Sequence, residues 1–402
     1  MEKATVLNNG NFGALAVKRM TVIVMPRLQN KVWLEILLVY LISKVYQLIF
    51  VYWGHAVRGP APPGSWEGVS NWLLNPWTTY DSQWYLEIAA TGYREATATF
   101  FPLYPLLLKI CGNSEASRAL AGVIISNIAF LLALYLLYRL SRLDLAAETA
   151  RTVVWIAAFY PTAAFFGAVY TESLFLLLLL LTFYAARQQH WAAAGIWGML
   201  AGATRNPAPV LFASLLLEYL HTLNYNVRKI KAKPVLWVAL VLLGFVLFNL
   251  YLYLRFGDPL AAVTSQRYYY RTAFSWPWEP LLNDLRDFFT GRNLNLVTPI
   301  NLLCISLFFY GAVKFRRVFR PSYLLLAGTI ILMHLCYPRA SHPHTIGLIR
   351  YLSVLFPFLQ MLAVSYQHLS RKSRFGKYLA IAGYFLLNAF FAHAFGLKSF
   401  LE

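Results

Sequence analysis

The length and composition of the chain predict a membrane protein. Of its 402 residues, 59% are hydrophobic and only 13% are charged, whereas an average soluble domain is about 25% charged. The formal net charge of +19 would suggest nucleic acid in a soluble protein. In this composition it predicts instead basic loops that face the cytoplasm and its anionic lipids, with no nucleic-acid partner. The three cysteines are scattered and form no CxxC pair, so neither a metal site nor a disulfide framework is indicated.

Residues 1–30 read as a basic segment on the cytoplasmic side. Five Lys and Arg residues precede the first long apolar run, 32–53, and the positive-inside rule therefore places the start of that run in the cytoplasm. No signal peptide is evident. Met20 and Met25 are alternative starting residues.

Residues 31–402 are predicted to form a single all-α polytopic domain of about eleven spans. A helix needs about 20 apolar residues to cross a bilayer. The apolar runs lie at 32–53, 117–138, 152–169, 172–186, 191–203, 207–220, 235–254, 295–313, 323–337, 348–368 and 378–395. When the runs are assigned to cross the membrane in alternating directions, the dense Lys/Arg clusters between them all fall on one side. This agreement supports the assignment. The short halves on either side of TRNP (204–207) are typical of broken helices that line a cavity.

Two long outer segments, 54–114 and 255–294, separate the spans. The first contains FFPLYP (100–105), which suits either an interfacial segment or an aromatic belt, and Tyr104 within it is a candidate substrate contact. The second carries RYYYR (267–271) and is expected to end in an interfacial helix. The first outer segment is expected to carry interfacial helices as well.

Asp81 is the strongest candidate for chemistry. Residues 80–91 have the pattern of a short amphipathic helix on the outer surface. Thr78 or Thr79 is expected to cap its start, and Gly92 to end it. The alternative is that Asp81 only satisfies the helix dipole in the first turn, and the spacing alone does not decide between the two.

Arginines on the predicted outer side run against the positive-inside trend and therefore suggest a phosphate ligand. The planar guanidinium fork matches phosphate oxygens. The candidates are Arg205 at the TRNP break, Arg350, and the pair Arg267 and Arg271. For Arg205, a snorkelling side chain is the alternative.

Glu172, in the YTES stretch, either caps the helix that follows or orients a substrate hydroxyl. His342 and His344 are weak evidence for a metal site. No cofactor is required by any pattern, although the outer carboxylates leave a divalent metal open. The chain has no phosphate-cradling glycine loop, no GxSxG and no HExxH.

Four stretches resemble, in this order, one known family. DSQWYLEIAATGY with FFPLYP (81–105), FYPTAAFFGAVYTESLFLLL (159–178), AGATRNPAPVL (201–211) and IRYLSVLFPF (349–358) are similar to the integral-membrane mannosyltransferases named for the second mannosyltransferase of GPI-anchor assembly, in their prokaryotic branch. The resemblance implies the GT-C glycosyltransferase fold, an active site on the non-cytoplasmic face and a polyprenyl-phosphate sugar donor. It also implies an essential acid in the first outer loop, which Asp81 matches, although Tyr80 stands where the family often has Trp. Bacteria lack GPI anchors, so a prokaryotic member needs another acceptor.

The sequence and the resemblance together predict an inverting sugar transfer to a glycan, lipid or protein acceptor at the membrane. Asp81 is the expected general base, and Arg205 with Arg350 or the Arg267/Arg271 pair is the expected phosphate clamp. Glu172, Trp84 and Tyr104 complete the expected substrate contacts. A prokaryotic member would work in the inner or plasma membrane.

Two alternatives belong to other classes of protein. A transporter of lipids or small molecules needs polar groups near mid-span, and Lys44 is the one strongly placed cation there. A scaffold of a glycan-assembly complex would bind the lipid-linked sugar without turnover.

Overall fold

The computed structural model describes residues 26–59, 68–269, 273–292, 295–338 and 343–398, with side chains from Lys31 onward. Within these ranges every regular element is a helix, as the sequence predicts. The first eight are α1 (Pro26–Ala56), α2 (Ser82–Thr91), α3 (Leu103–Cys111), α4 (Glu115–Ser141), α5 (Ala147–Ala158), α6 (Glu172–Arg187), α7 (Trp191–Gly202) and α8 (Ala208–Thr222). The others are α9 (Ala232–Ala239), α10 (Val241–Phe256), α11 (Ala261–Tyr269), α12 (Glu279–Phe289), α13 (Val297–Lys314), α14 (Pro321–Cys336), α15 (Leu348–Ser353), α16 (Phe356–Lys372) and α17 (Arg374–Leu397).

Four of the described helices are long and apolar enough to cross a membrane: α1, α4, α13 and α17. The pair α9 and α10, bent by 40°, makes a fifth when it is taken as one span. Helices α7, α8 and α14 are apolar but shorter. The protein is therefore an all-helical membrane protein. Each of the eleven predicted runs coincides with a helix or a pair of helices, but the described helices reach spanning length in four or five cases only.

Two runs that the sequence predicts as continuous are broken at prolines. In the run 152–169, α5 ends before Pro161, and a short 3₁₀ turn (Ala163–Gly167) follows it. In the run 348–368, α15 and α16 are separate, and Pro357 lies in the first turn of α16. Proline lacks an amide donor and clashes with the preceding turn, so these helices stop short of the length that hydropathy alone predicts.

Side chains from the first and last long helices satisfy the carbonyl groups at the end of α5. The Gln47 amide donates to the Ala158 carbonyl at 2.9 Å, and the Asn388 amide donates to the Tyr160 carbonyl at 2.6 Å. A buried carbonyl without a partner is costly, above all where no water is available, and these partners therefore permit the break. The break is therefore a built feature of the fold.

Helices α1 and α17 pack with their backbones in contact, and this is what brings Gln47 and Asn388 to the same break. A Cβ on Gly396 would lie 1.9 Å from the Val51 carbonyl oxygen, and one on Gly54 would lie 2.1 Å from that of His393. Only glycine fits at these two positions, since close backbone approach needs small residues.

Ionic clusters lie at both ends of α6. At its C-terminal end Arg187 bonds Asp144 at 2.8 Å, and close by Arg320 bonds Glu218 at 2.8 Å. These four residues come from four separate parts of the chain, and the structure brings them together. The cluster at the other end contains the candidate site.

Both outer segments contain short helices. Gly92 ends α2 with φ 86° and donates its amide to the Ile88 carbonyl, as predicted. In the second segment, α12 buries Asp284 and exposes Leu282 and Phe289. This inversion of the usual pattern suits a helix whose outer face meets lipid.

We expect Asn388→Leu to destabilise the protein by about 1–3 kcal/mol, the cost of a buried carbonyl that loses its partner. Thermal unfolding in detergent measures the effect. Asn249→Leu is the matched control, because the Asn249 amide donates to the Phe245 carbonyl of its own helix. Equal losses in the two variants would contradict the role assigned to Asn388.

Candidate active site

Asp81 occupies the N-cap position of α2, but its carboxylate makes no hydrogen bond to that helix. One carboxylate oxygen, Oδ2, lies 3.2 Å from Nη1 of Arg350. The predicted caps are wrong, since the Thr78 and Thr79 hydroxyls donate to carbonyls earlier in the chain. The carboxylate is thus turned toward an arginine instead of toward the helix terminus.

The backbone before Asp81 is strained. Tyr80 has φ 51°, a left-handed conformation that costs a non-glycine residue about 1–3 kcal/mol. The amide of Asp81 donates to the Tyr170 hydroxyl at 3.0 Å, and the Tyr80 ring packs 6.3 Å from that of Phe395. These contacts hold the turn that aims Asp81 at Arg350.

Glu172 joins two arginines that come from separate parts of the chain. Its Oε1 lies 2.6 Å from Nη1 of Arg205, in the break between α7 and α8, and 3.7 Å from Nε of Arg350, on α15. Four residues predicted from the sequence, Asp81 among them, therefore meet at one place. Their formal charges sum to zero, with two carboxylates and two guanidinium groups.

The two carboxylates differ in exposure. The Asp81 side chain is 15% exposed and that of Glu172 only 1%. Arg205 is also partly accessible, at 15%. A substrate can therefore reach Asp81 and Arg205, whereas Glu172 is sealed behind the arginines and acts on them.

Aromatic rings frame the charged cluster, and no pattern in the sequence predicts this arrangement. The Tyr351 ring lies 4.9 Å from the guanidinium carbon of Arg205 and 5.6 Å from that of Arg350. Contacts of this kind stabilise a cation where water is scarce. Tyr351 directly follows Arg350 in the chain, but adjacency alone does not indicate that one ring serves both arginines.

Burial and charge set the protonation of the groups beside the cluster. Burial, with the Asp81 and Glu172 carboxylates, raises the pKa of the Tyr85 phenol well above its usual value. Tyr85 therefore stays a hydrogen-bond donor at physiological pH. Burial is the largest single influence on the pKa of Arg205 and lowers it. The Glu172 carboxylate together with the Tyr351 and Tyr85 phenols nevertheless leaves that pKa raised.

Other predicted contacts lie away from the cluster. The Tyr104 hydroxyl is buried, lies 2.9 Å from that of Ser126, and so fixes α3 against α4. Trp84 is half-buried, with the guanidinium carbon of Arg94 5.5 Å from its ring. Arg267 is exposed on α11 and takes no part in the ion pairs of the described residues. Arg271 lies outside the described residues.

The described part of the chain shows no cluster suited to a metal ion, and it buries the predicted mid-span lysine beside aromatic rings. No group of three or more His, Cys, Asp or Glu residues there is arranged to hold a metal ion, and His342 lies outside it. The Lys44 ammonium is buried 5.0 Å from the centre of the Phe130 ring and 5.7 Å from that of Tyr40.

A family model described as Mannosyltransferase (PIG-V) matches residues 34–278, well over half of the chain. The protein belongs to this family. The matched range includes Asp81, Glu172 and Arg205, and Arg350 lies beyond it. As a family member, the protein is a multi-pass integral membrane protein. No curated protein sequence matches the chain significantly.

Several solved structures are similar to this chain in shape. ArnT from Cupriavidus metallidurans bound to undecaprenyl phosphate superposes with a TM-score of 0.50 at 15% identity, over 85% of this chain and 62% of ArnT. Its apo state gives 0.50 at 16%, over the same shares. The Archaeoglobus fulgidus oligosaccharyltransferase, in complex with Zn and sulfate, gives 0.48 at 16%, over 88% of this chain and 53% of that protein. The likeness to ArnT shows a GT-C-like fold, and the chain spans about three fifths of the length of ArnT.

We expect Glu172→Ala to lower stability by about 3–5 kcal/mol, because it leaves the buried Arg350 and the partly buried Arg205 without their shared partner. Thermal or denaturant unfolding in detergent measures the loss. Glu87→Ala is the control, since Glu87 pairs with the exposed Arg94 and such pairs contribute about 0–1 kcal/mol. A Glu172 variant as stable as the control would disprove the bridging role.

Proposed function

We propose that the protein is a membrane glycosyltransferase that moves a sugar from a polyprenyl-phosphate donor to an acceptor hydroxyl. Mannose is the sugar that the family favours. The observation that carries the proposal is the Asp81 carboxylate, partly exposed and free of helix capping, 3.2 Å from an arginine of a two-arginine cluster. A base beside two phosphate-binding groups is what transfer from a lipid phosphate requires.

In the proposed step, the acceptor oxygen attacks the anomeric carbon of the sugar. The bond between that carbon and the phosphate oxygen breaks, and its electron pair leaves with the polyprenyl phosphate. Asp81 takes the proton of the acceptor hydroxyl as the new glycosidic bond forms. One displacement inverts the configuration, and it needs one carboxylate, unlike the paired carboxylates of a glycosidase.

Arg205 and Arg350 are the proposed phosphate clamp. The donor phosphate is a diester with one negative charge, and the leaving phosphate gains a second charge. Two guanidinium groups therefore stabilise the transition state more than the bound donor, which is the condition for catalysis. Glu172 fixes the arginines from behind, and the exposed Arg267 is a weaker candidate for the clamp.

The identity of the donor is supported by fold and by chemistry. ArnT, whose GT-C-like fold the chain shares, has been solved with undecaprenyl phosphate bound, and the cluster here offers the arginines that such a phosphate needs. The acceptor is a hydroxyl of a glycan, lipid or protein, and a divalent metal stays an open part of the proposal.

The proposed topology has eleven spans within residues 31–402, with residues 1–30 in the cytoplasm and the site on the opposite face. Its support is the ionic cluster at the far end of α6, where Asp144, Arg187, Glu218 and Arg320 meet among the basic loops. In a prokaryote this topology would place the site on the outer face of the inner or plasma membrane.

We expect Asp81→Asn to lower sugar transfer by about 10²- to 10⁴-fold, the usual contribution of a general base. The assay follows the acceptor-dependent release of polyprenyl phosphate from radiolabelled polyprenyl-phosphate mannose by purified protein. Glu87→Gln removes a carboxylate from the same helix and should keep near wild-type turnover. Wild-type turnover in Asp81→Asn would refute the base, and binding without turnover by the wild-type protein would favour a scaffold.

We expect Arg205→Gln and Arg350→Gln each to weaken binding of undecaprenyl phosphate by about 10- to 100-fold, since a hydrogen bond to a charged group contributes about 1.5–3 kcal/mol. Equilibrium binding in lipid nanodiscs measures this. Arg267→Gln is the control and should change the affinity less than either. A larger loss in Arg267→Gln would move the clamp to the second outer segment.

A further inference from the structure

A buried carboxylate on α12 holds the loop that leads to Arg350. Asp284 is only 2% exposed. Its Oδ1 accepts the amide of His344 at 2.6 Å, and its Oδ2 accepts both the amide and the hydroxyl of Thr345, at 2.9 and 2.6 Å. Three donors on one carboxylate compensate the cost of burying its charge.

Thr345 connects the Asp284 carboxylate to the start of α15. Its carbonyl accepts the amide of Leu348, the first residue of that helix. From the other side, the buried Asn301 amide donates to the carbonyl and the hydroxyl of Thr345 at 2.8 and 3.0 Å. Thr345 is therefore held between α12 and α13, at the start of the helix that carries Arg350.

The turn between Thr345 and α15 leaves little freedom. Gly347 has φ 82°, a left-handed conformation that glycine adopts without strain. Leu348, Ile349 and Arg350 are all buried directly after it. A shift of the loop at Thr345 must therefore move the short helix, and with it the guanidinium group beside Asp81.

We propose that Asp284 is a positioning residue that sets Arg350 for the donor phosphate. The assignment rests on the proposed function of Arg350 as part of the phosphate clamp. It gives the second outer segment a role in the site through α12, although Asp284 belongs to none of the ion pairs around Asp81. A purely local role, in which Asp284 only anchors α12, is the competing explanation.

A double-mutant cycle separates the two roles. Undecaprenyl phosphate binding is measured in nanodiscs for the wild-type protein, Asp284→Ala, Arg350→Gln and the double variant. We expect Asp284→Ala to weaken binding about tenfold in the wild-type background, equivalent to one hydrogen bond to a charged group. In the Arg350→Gln background it should weaken binding less than about twofold, because groups that act through one contact are not additive.

Two further variants keep the test decisive. Thr345→Val retains both amide donors and removes only the hydroxyl, so it should fold. It should weaken binding about threefold, less than Asp284→Ala, because two of the three bonds to the carboxylate remain. Glu279→Gln is the control on the same helix. Within the described residues, Glu279 accepts hydrogen bonds only from Ser275 and Trp276, so this variant should bind undecaprenyl phosphate as tightly as the wild type. If Asp284→Ala does not fold, Thr345→Val in the two backgrounds provides the cycle.

The outcomes distinguish this inference from the proposed function. If Arg350→Gln weakens binding but Asp284→Ala and Thr345→Val do not, the clamp stands and the positioning role is wrong. If the Asp284 effect is the same in both backgrounds, Asp284 acts elsewhere and the inference is again wrong. If none of the variants changes binding, it is the proposed function of Arg350 that fails.

Discussion

The structure depends most on one buried carboxylate, that of Glu172, between two arginines. Two guanidinium groups this close repel each other strongly where water is scarce, and Oε1 of Glu172 lies within 3.7 Å of both. By meeting both, Glu172 fixes the start of α6, the break before α8 and the short helix α15 relative to one another. Asp81 makes the formal charge of the cluster zero, and Arg350 and the Tyr170 hydroxyl hold it in position.

Broken helices are what make this cluster available within a membrane domain. A continuous helix uses its backbone groups internally and presents only side chains to its neighbours. The breaks at Pro161 and before α8 end helices inside the domain, and Arg205 lies in the second of them. The open carbonyls at the first break are bonded by Gln47 and Asn388, so the cost of the irregular backbone is met by the helices at the two ends of the described chain.

Hydropathy and spacing predicted the helical class and the helix at Asp81, whereas the sidedness inferred from charge bias stays a prediction. That predicted sidedness put Asp81, Glu172, Arg205 and Arg350 on one face, but it put Arg267 there equally. Arg350 and Asp81 are 269 positions apart in the sequence. Their contact depends on tertiary packing, which the local periodicity of the sequence cannot predict. The roles of Tyr351 and Asp284 escaped prediction for the same reason. Two runs predicted as continuous helices are interrupted in the structure, because apolar composition persists across a proline that the helix itself cannot cross.

The length of α6 sets how deep the site lies. Its 16 residues span about 24 Å, less than the roughly 30 Å of a typical hydrocarbon core. In the proposed topology, Arg187 lies at the cytoplasmic boundary, so Glu172 would lie below the opposite boundary and the bilayer would have to thin or admit water around it. The proposed donor, a phosphate on a lipid tail, would reach such a recess with little displacement from its leaflet. An acceptor from the aqueous side would have to pass the headgroups, so the depth of the site would favour acceptors that are slender or already attached to the membrane.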